Sequence, residues 1–356
     1  EPLATAPPPP QAPPIAAGFC DPDDSKTFYE IHHTLRGLLA KRPSAEAAAL
    51  VREALDTEKS DPERHLEAVR RARVLLPRDP ALGWAIAAAT RQLPDLDEAI
   101  EGLGDYLAAD PSPDLARLKA LLEVQRDIHT GYQRLERGGT TLMWPRDALT
   151  LVQVDELLYT VNRALDEAAQ LTGTERRRKL TVVAYPGHSE LLAVTCTRAW
   201  TAAVYDGTLR VVLSQKGGGA DLKIVRHETL HAQVSRFANK APRWFHEGLA
   251  QSFAQQTDRK RGWPLMVKNK VWIPFTSLDG SFQAFEQSED ASLAYVQSYA
   301  MAELMRDCGG DAAISRAIDG FQAGETTDAV LQGACGRPVT GEQLLEFMAR
   351  PTGAQR

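Results

Sequence analysis

The stretch 222–253 constrains this chain more than any other. It reads LKIVRHETLHAQV and, after a short break, PRWFHEGLAQSF. Apolar residues recur at helical spacing in both parts: Leu222, Ile224, Val225, Leu230, Val234 and Phe237 in the first, Trp244, Leu249 and Phe253 in the second. Asp221 is placed to cap the first helix, and Pro242 opens the second, where a missing N–H costs little. His227 and His231 stand four residues apart and so share one face of the first helix, about 5–6 Å from each other. Two helices are expected to pack together here, with Gly248 letting the second come close to the first.

Two imidazoles so placed can both aim a ring nitrogen at one zinc ion, at about 2.0–2.1 Å. Glu228 follows the first histidine and turns towards a water that such an ion would activate. It can take that water's proton and later return it to a leaving group. With 8 histidines in 356 residues, an H-E-x-x-H arises by chance roughly 0.01 times per chain. The bland alternative is a pair of ordinary helix histidines. A catalytic zinc takes three protein ligands plus water, and Glu247 supplies the third as His₂Glu. His246 competes for that place; otherwise it is a packing or substrate-facing neighbour.

H-E-T-L-H followed by P-R-W-F-H-E-G-L-A resembles the gluzincin metallopeptidases, most closely the bacterial peptidase-MA-like group related to the M1 aminopeptidases and the thermolysin-like peptidases. The resemblance covers roughly residues 131–350, including the strands KLTVVAYP and YDGTLRV and the helix YVQSYAMAELMRDCGG. It implies one zinc ion held by His227, His231 and Glu247, with Glu228 as general base and then acid. It also implies a tyrosine that donates to the oxyanion: Tyr295, near the small residue Ser298, with Tyr299 one turn on in reserve and core packing as the other reading of either. Gln251 stands where the thermolysin type has an aspartate behind a ligand histidine, and an amide orients that ring less strongly. The glutamate of the aminopeptidase amine-binding motif is missing from Thr208–Ser214. Endoproteolysis is therefore expected, with Thr208–Ser214 pairing with an extended substrate. A metzincin is excluded, since it would need Gly at Val234 and His at Phe237.

Around this segment the chain changes character twice. Residues 1–21 are Pro-rich and extended, with too little apolar variety to pack. Residues 22–130 are Ala- and Leu-rich and helical. Glu67-Ala68-Val69, Leu76 and Asp79-Pro80 recur as Glu98-Ala99-Ile100, Leu107 and Asp110-Pro111, a period of 31 (98 − 67). This resembles a degenerate tetratricopeptide array of about two repeats, read either as a docking surface for a protein partner or as a helical cap. From 131 to 356, Gly138-Gly139 breaks the helical run. Strands follow at Thr140–Trp144, Lys179–Tyr185 and Thr208–Ser214, the last after an Asp206-Gly207 turn, with a helix at Leu151–Leu171 between the first two and helices to the end. The expected fold is α+β: an N-terminal all-α, tetratricopeptide-like region, then a zincin-like domain with a small sheet and active-site helices, then a C-terminal helical part over 290–350.

A net charge of −6 gives no basic face for nucleic acid, and no apolar run reaches the length of a membrane helix. The run Arg176-Arg177-Arg178-Lys179 reads as a solvated face. His32, His33, His65, His129 and His188 lie away from the motif and read as non-ligands. Cys308 and Cys335 flank a helical hairpin and either bridge or, like Cys20 and Cys196, stay as buried thiols; no thiolate zinc spacing is present. The Pro- and Ala-rich start fits an exported bacterial protein. The function expected is zinc-dependent peptide hydrolysis. The alternatives are a partner-binding protein with a vestigial zinc module and a zinc hydrolase of a non-peptide amide.

Overall fold

The computed structural model describes residues 49–50, 52–54, 62–75, 82, 96–109, 111, 113–197, 201–214, 219–235, 237–238, 240–280, 282 and 288–350. The tail 1–21, Cys20, His32, His33, Leu76, Asp79-Pro80 and Asp110 lie outside the described residues. The chain is a mixed α+β protein. Helices α1 (Pro62–Leu75), α2 (Asp97–Ala109) and α3 (Pro113–His129) precede strands β1 (Tyr132–Arg137) and β2 (Thr140–Pro145). Then come α4 (Leu151–Thr172), β3 (Leu180–Tyr185), α5 (His188–Thr195), β4 (Ala203–Tyr205) and β5 (Leu209–Val212). The rest is helical: α6 (Leu222–Val234), α7 (Arg243–Phe253), a 3-10 turn at Thr257–Gly262, α8 (Trp263–Asn269), a 3-10 turn at Phe275–Leu278, α9 (Ser288–Ala323), α10 (Thr327–Cys335) and α11 (Gly341–Met348). The sheet runs β1-β2-β3-β5-β4. No helix among the described residues is long and apolar enough to cross a membrane. Two compact units are formed by the described residues, one by those up to 134 with 143–149 and 183–214, the other by 135–142, 150–182 and those from 219 to 350.

In the first unit the sequence echo is also an echo of burial. Ala68 and Val69 on α1, and Ala99 and Ile100 on α2, are all buried, while Glu67 is exposed and Glu98 half-exposed. Arg70 pairs with Glu98. Strand β5 is locked by a buried cation: Arg210 Nε donates to both Asp206 carboxylate oxygens at 3.1 Å, and Nη1 donates to Tyr185 Oη at 2.7 Å. A guanidinium can be buried only when paired and hydrogen-bonded in this way. Gly207, at φ 103°, turns β4 back onto β5, with Ala203 opposite Val211 and Tyr205 opposite Leu209. On its other side β5 adjoins β3, where Leu213 N–H donates to Tyr185 O at 2.8 Å. The expectation that Thr208–Ser214 takes up an extended substrate is thereby corrected, because both edges of β5 are already paired and β4 holds the edge position.

The second unit contains the motif helices and one large apolar cluster, built from α4, α6, α7, α8, the turn Phe275–Leu278, α9, α10 and α11. Thr150 and Gln153 form a reciprocal capping box at the start of α4, and Gly173 ends it in the left-handed region. Asp221 caps α6 as expected, accepting from the N–H groups of Lys223 at 2.9 Å and Ile224 at 3.4 Å. In the basic run before β3, Arg178 and Lys179 are exposed as a solvated face requires, and Arg177 is the exception. Arg177 is only 4% exposed, and its Nη1 donates to Ala232 O at 3.2 Å while its backbone N–H donates to Gln233 Oε1 at 2.9 Å. The end of α6 carries carbonyls without helical partners, and a cation there satisfies one and complements the helix dipole. Gln233 completes the tie by donating to Glu175 O at 2.7 Å.

Cys308 on α9 is bridged to Cys335 at the end of α10, just before α9 kinks at Gly310 (φ 62°, ψ −163°). Cys196 is also disulfide-bonded, so the thiol reading is corrected for all three described cysteines. The 308–335 bridge spans 27 residues, a loop whose closure is worth about 3.5 kcal/mol on chain-entropy grounds. Replacing both cysteines by serine is expected to cost about 2–4 kcal/mol in denaturant unfolding of this unit. An unchanged midpoint would mean that the bridge adds nothing.

Candidate metal centre

Helix α6 presents His227 and His231 on one face, and α7 brings Glu247 against them. Glu247 is buried, and the two histidines are nearly so. His227 Nε2 lies 3.1 Å from His231 Nε2 and 3.4 Å from Glu247 Oε2, and His231 Nε2 lies 3.6 Å from Glu247 Oε1. Three ligands at about 2.0–2.1 Å from a tetrahedral zinc stand roughly 3.3–3.4 Å from one another. The two imidazoles and the carboxylate are donor types that zinc takes, and the two Glu247 distances run to different carboxylate oxygens; with one ligand atom from each residue, the three all lie within 4.8 Å of one another. Among the described residues this is the one group of three or more His, Cys, Asp or Glu side chains with metal-binding spacing.

Gly248 makes a close approach, but not to α6. A Cβ added there would overlap the Ser298 carbonyl oxygen on α9, with the carbonyl carbon at 2.6 Å and Ala302 Cβ at 3.3 Å. It is α9, the helix carrying Tyr295, that is drawn down beside Glu247. The other face of α7 is held by Trp244, whose Nε1 donates to Thr327 Oγ1 at 3.1 Å.

The electrostatics centre on a residue that sequence reading passed over. Arg243 sits one turn before Glu247 and donates from Nη2 to Glu247 Oε1 at 2.6 Å. It also hydrogen-bonds Tyr295, and the charges of Glu247 and Glu228 keep it firmly protonated. Burial alone would raise the Glu247 carboxyl. Arg243, His231 and His227 together outweigh that and hold it well below the usual carboxylate range. Burial, helped by the charges of His227, Arg243 and His246, pushes His231 well below its ordinary value, which leaves the neutral imidazole a metal needs. At His227 burial also lowers the value, but the hydrogen bond it donates to Glu247 and the charges of Glu228 and Glu247 reverse it and raise the ring overall. The spacing of Arg243 and Glu247, i and i+4 on one helix, was the available signal for this pair.

Glu228 is half-buried and adds no atom to the triangle, yet its charge is felt at His227, Arg243 and Tyr295. Tyr295 and Tyr299 part company. Tyr295 is half-buried, hydrogen-bonded with Arg243, and raised by burial and by the Glu247 charge. Tyr299 is 2% exposed, tilted against Trp263 at 5.8 Å, and hydrogen-bonded with Glu303. His246 turns from the triangle, its Nε2 lying 2.9 Å from Ala238 O. Gln251 is fully buried, but neither its amide oxygen nor its nitrogen has a partner, and His227 Nδ1 is likewise buried without one. The expected hydrogen bond from Gln251 to a ligand histidine is not formed.

The chain matches no protein-family model, and no curated protein matches it.

Proposed function

We propose that the chain is a zinc-dependent peptidase of gluzincin type, with residues 131–356 as a zincin-like domain and the preceding helices as a tetratricopeptide-like partner surface. The observation that supports this reading is the convergence of His227, His231 and Glu247, one ligand atom from each lying within 4.8 Å of the others. Zinc, when bound, supplies Lewis acidity and a nucleophilic water at neutral pH. Glu228 takes the proton of the attacking water on its carboxylate and returns it to the departing amine. Tyr295 donates its hydroxyl hydrogen to the carbonyl oxygen as charge builds there. Arg243 has only donors, so it occupies an acceptor site on the Tyr295 oxygen and leaves the phenolic hydrogen free for that task. Arg243 also keeps Glu247 ionised, as a ligand requires. The 308–335 disulfide, and a second at Cys196, favour an oxidising compartment and hence an exported protein.

Metal analysis of the protein purified without chelator is expected to find about one zinc per chain, and His231→Ala to lose it. A peptide library treated with wild type, with and without chelator, reads activity and cleavage preference together. A folded protein that takes up no zinc would sink the proposal.

A further inference from the structure

Beside Tyr295 stands a second guanidinium with different surroundings from the first. Arg243 is neutralised by Glu247 at 2.6 Å. Arg259, in the turn Thr257–Gly262, lies over the Tyr295 ring at 5.7 Å from its centroid and has no carboxylate or hydrogen-bond partner for its side chain among the described residues. Its Nε is buried and unpaired. A buried donor without an acceptor is costly, more so when it is charged. The neighbouring lysine is differently placed, with Lys260 Nζ 3.7 Å from Glu303. The turn itself is held against the tyrosine's helix, since a Cβ on Gly262 would sit 2.9 Å from Val296 Cγ1, one residue along from Tyr295. Arg259 is thus fixed one ring away from Arg243, and through it from Glu247 and the histidines. Phe282 also packs T-shaped against the Tyr295 ring, at 5.2 Å.

We propose that Arg259 is a specificity-determining residue of the candidate peptidase site, binding a carboxylate that the substrate carries next to the bond to be cut. This rests on the peptidase reading above. A planar guanidinium meets a carboxylate through two parallel N–H donors, which a neutral amide of the same shape cannot match. The carboxylate belongs either to an Asp or Glu side chain or to a free C-terminus, and the two differ in where cleavage falls.

The test uses fluorogenic peptides identical except for Glu or Gln beside the cleaved bond, each made with a free and an amidated C-terminus. Wild type is expected to favour the carboxylate form by about 10- to 100-fold in kcat/KM. Arg259→Gln should bring that ratio close to one, whereas a merely structural role would lower both substrates alike and leave the ratio standing. Preference for Glu over Gln assigns a side chain; preference for the free over the amidated end assigns the terminus. The same four peptides are titrated by anisotropy onto the zinc-loaded Glu228→Gln protein, with and without Arg259→Gln. This separates the two claims. Cleavage with no carboxylate preference overturns the role of Arg259 and leaves the peptidase standing. A carboxylate preference in binding that needs Arg259, with no cleavage of any peptide, supports the subsite and overturns the peptidase.

Discussion

Glu228→Gln is expected to keep its zinc and to lose hydrolysis by about a thousandfold or more, since a positioned general base contributes about 10²–10⁴. The reason lies in where the carboxylate stands. It is not part of the triangle of His227, His231 and Glu247, so its replacement leaves the donor set whole. Its charge nevertheless reaches His227, Arg243 and Tyr295. Glutamine preserves shape and removes the proton acceptor. A thousandfold loss corresponds to about 4 kcal/mol of transition-state stabilisation. The check is paired: metal content by mass spectrometry and turnover of the best peptide from the library. A variant that cuts as fast as wild type would show that Glu228 is not the base. One that loses its zinc would show that the carboxylate is structural.

The second large effect concerns a methyl group. Gly248→Ala inside a helix would ordinarily stabilise by about 0.5–1 kcal/mol, because alanine loses less backbone freedom on folding. Here the added carbon meets the backbone of Ser298, with the carbonyl carbon at 2.6 Å. Backbone cannot rotate aside as a side chain can, so α7 and α9 must part. Forcing extra volume into such a contact costs about 1–3 kcal/mol and occasionally more, which outweighs the helical gain and reverses the sign. The expected result is a melting temperature lowered by about 4–10 °C for this unit. Glu247 precedes Gly248 and Tyr295 precedes Ser298 on the two facing helices, so zinc affinity and turnover should fall as well. Gly333→Ala on α10 is the control: a Cβ there meets nothing within 4 Å, and the ordinary helical gain should appear. If both variants melt alike, the close approach at Ser298 is not tight.

What could be read from the chain was whatever neighbours along the chain decide. The four-residue spacing of His227 and His231, the Asp221 cap, the strand Lys179–Tyr185 and the helix from Leu151 all depend on a few consecutive residues, and all are present. Strand β1 was missed because YQRLER carries the exposed, charged pattern of a sheet edge rather than an apolar alternation. Strand β4, three residues long, is too short to signal itself.

The misreadings share another cause. Arg177 looks like surface in its basic run, and becomes buried only because the end of α6, more than fifty residues on, needs a donor. Tyr295 came ahead of Tyr299 only through the family resemblance; Arg243 beside the first and Trp263 beside the second set them apart physically. Gly248 was expected to bring α7 close to α6, and the neighbour it meets is α9. Sequence alone picked out the three side chains that converge, because helical periodicity carries His227 and His231 to one face and the helix with Glu247 follows soon after. Tertiary structure decided which cation neutralises Glu247, which tyrosine joins it, and which arginine lies over that tyrosine without a carboxylate partner among the described residues. Those choices depend on charge and burial between segments far apart in the chain, where no local spacing rule applies.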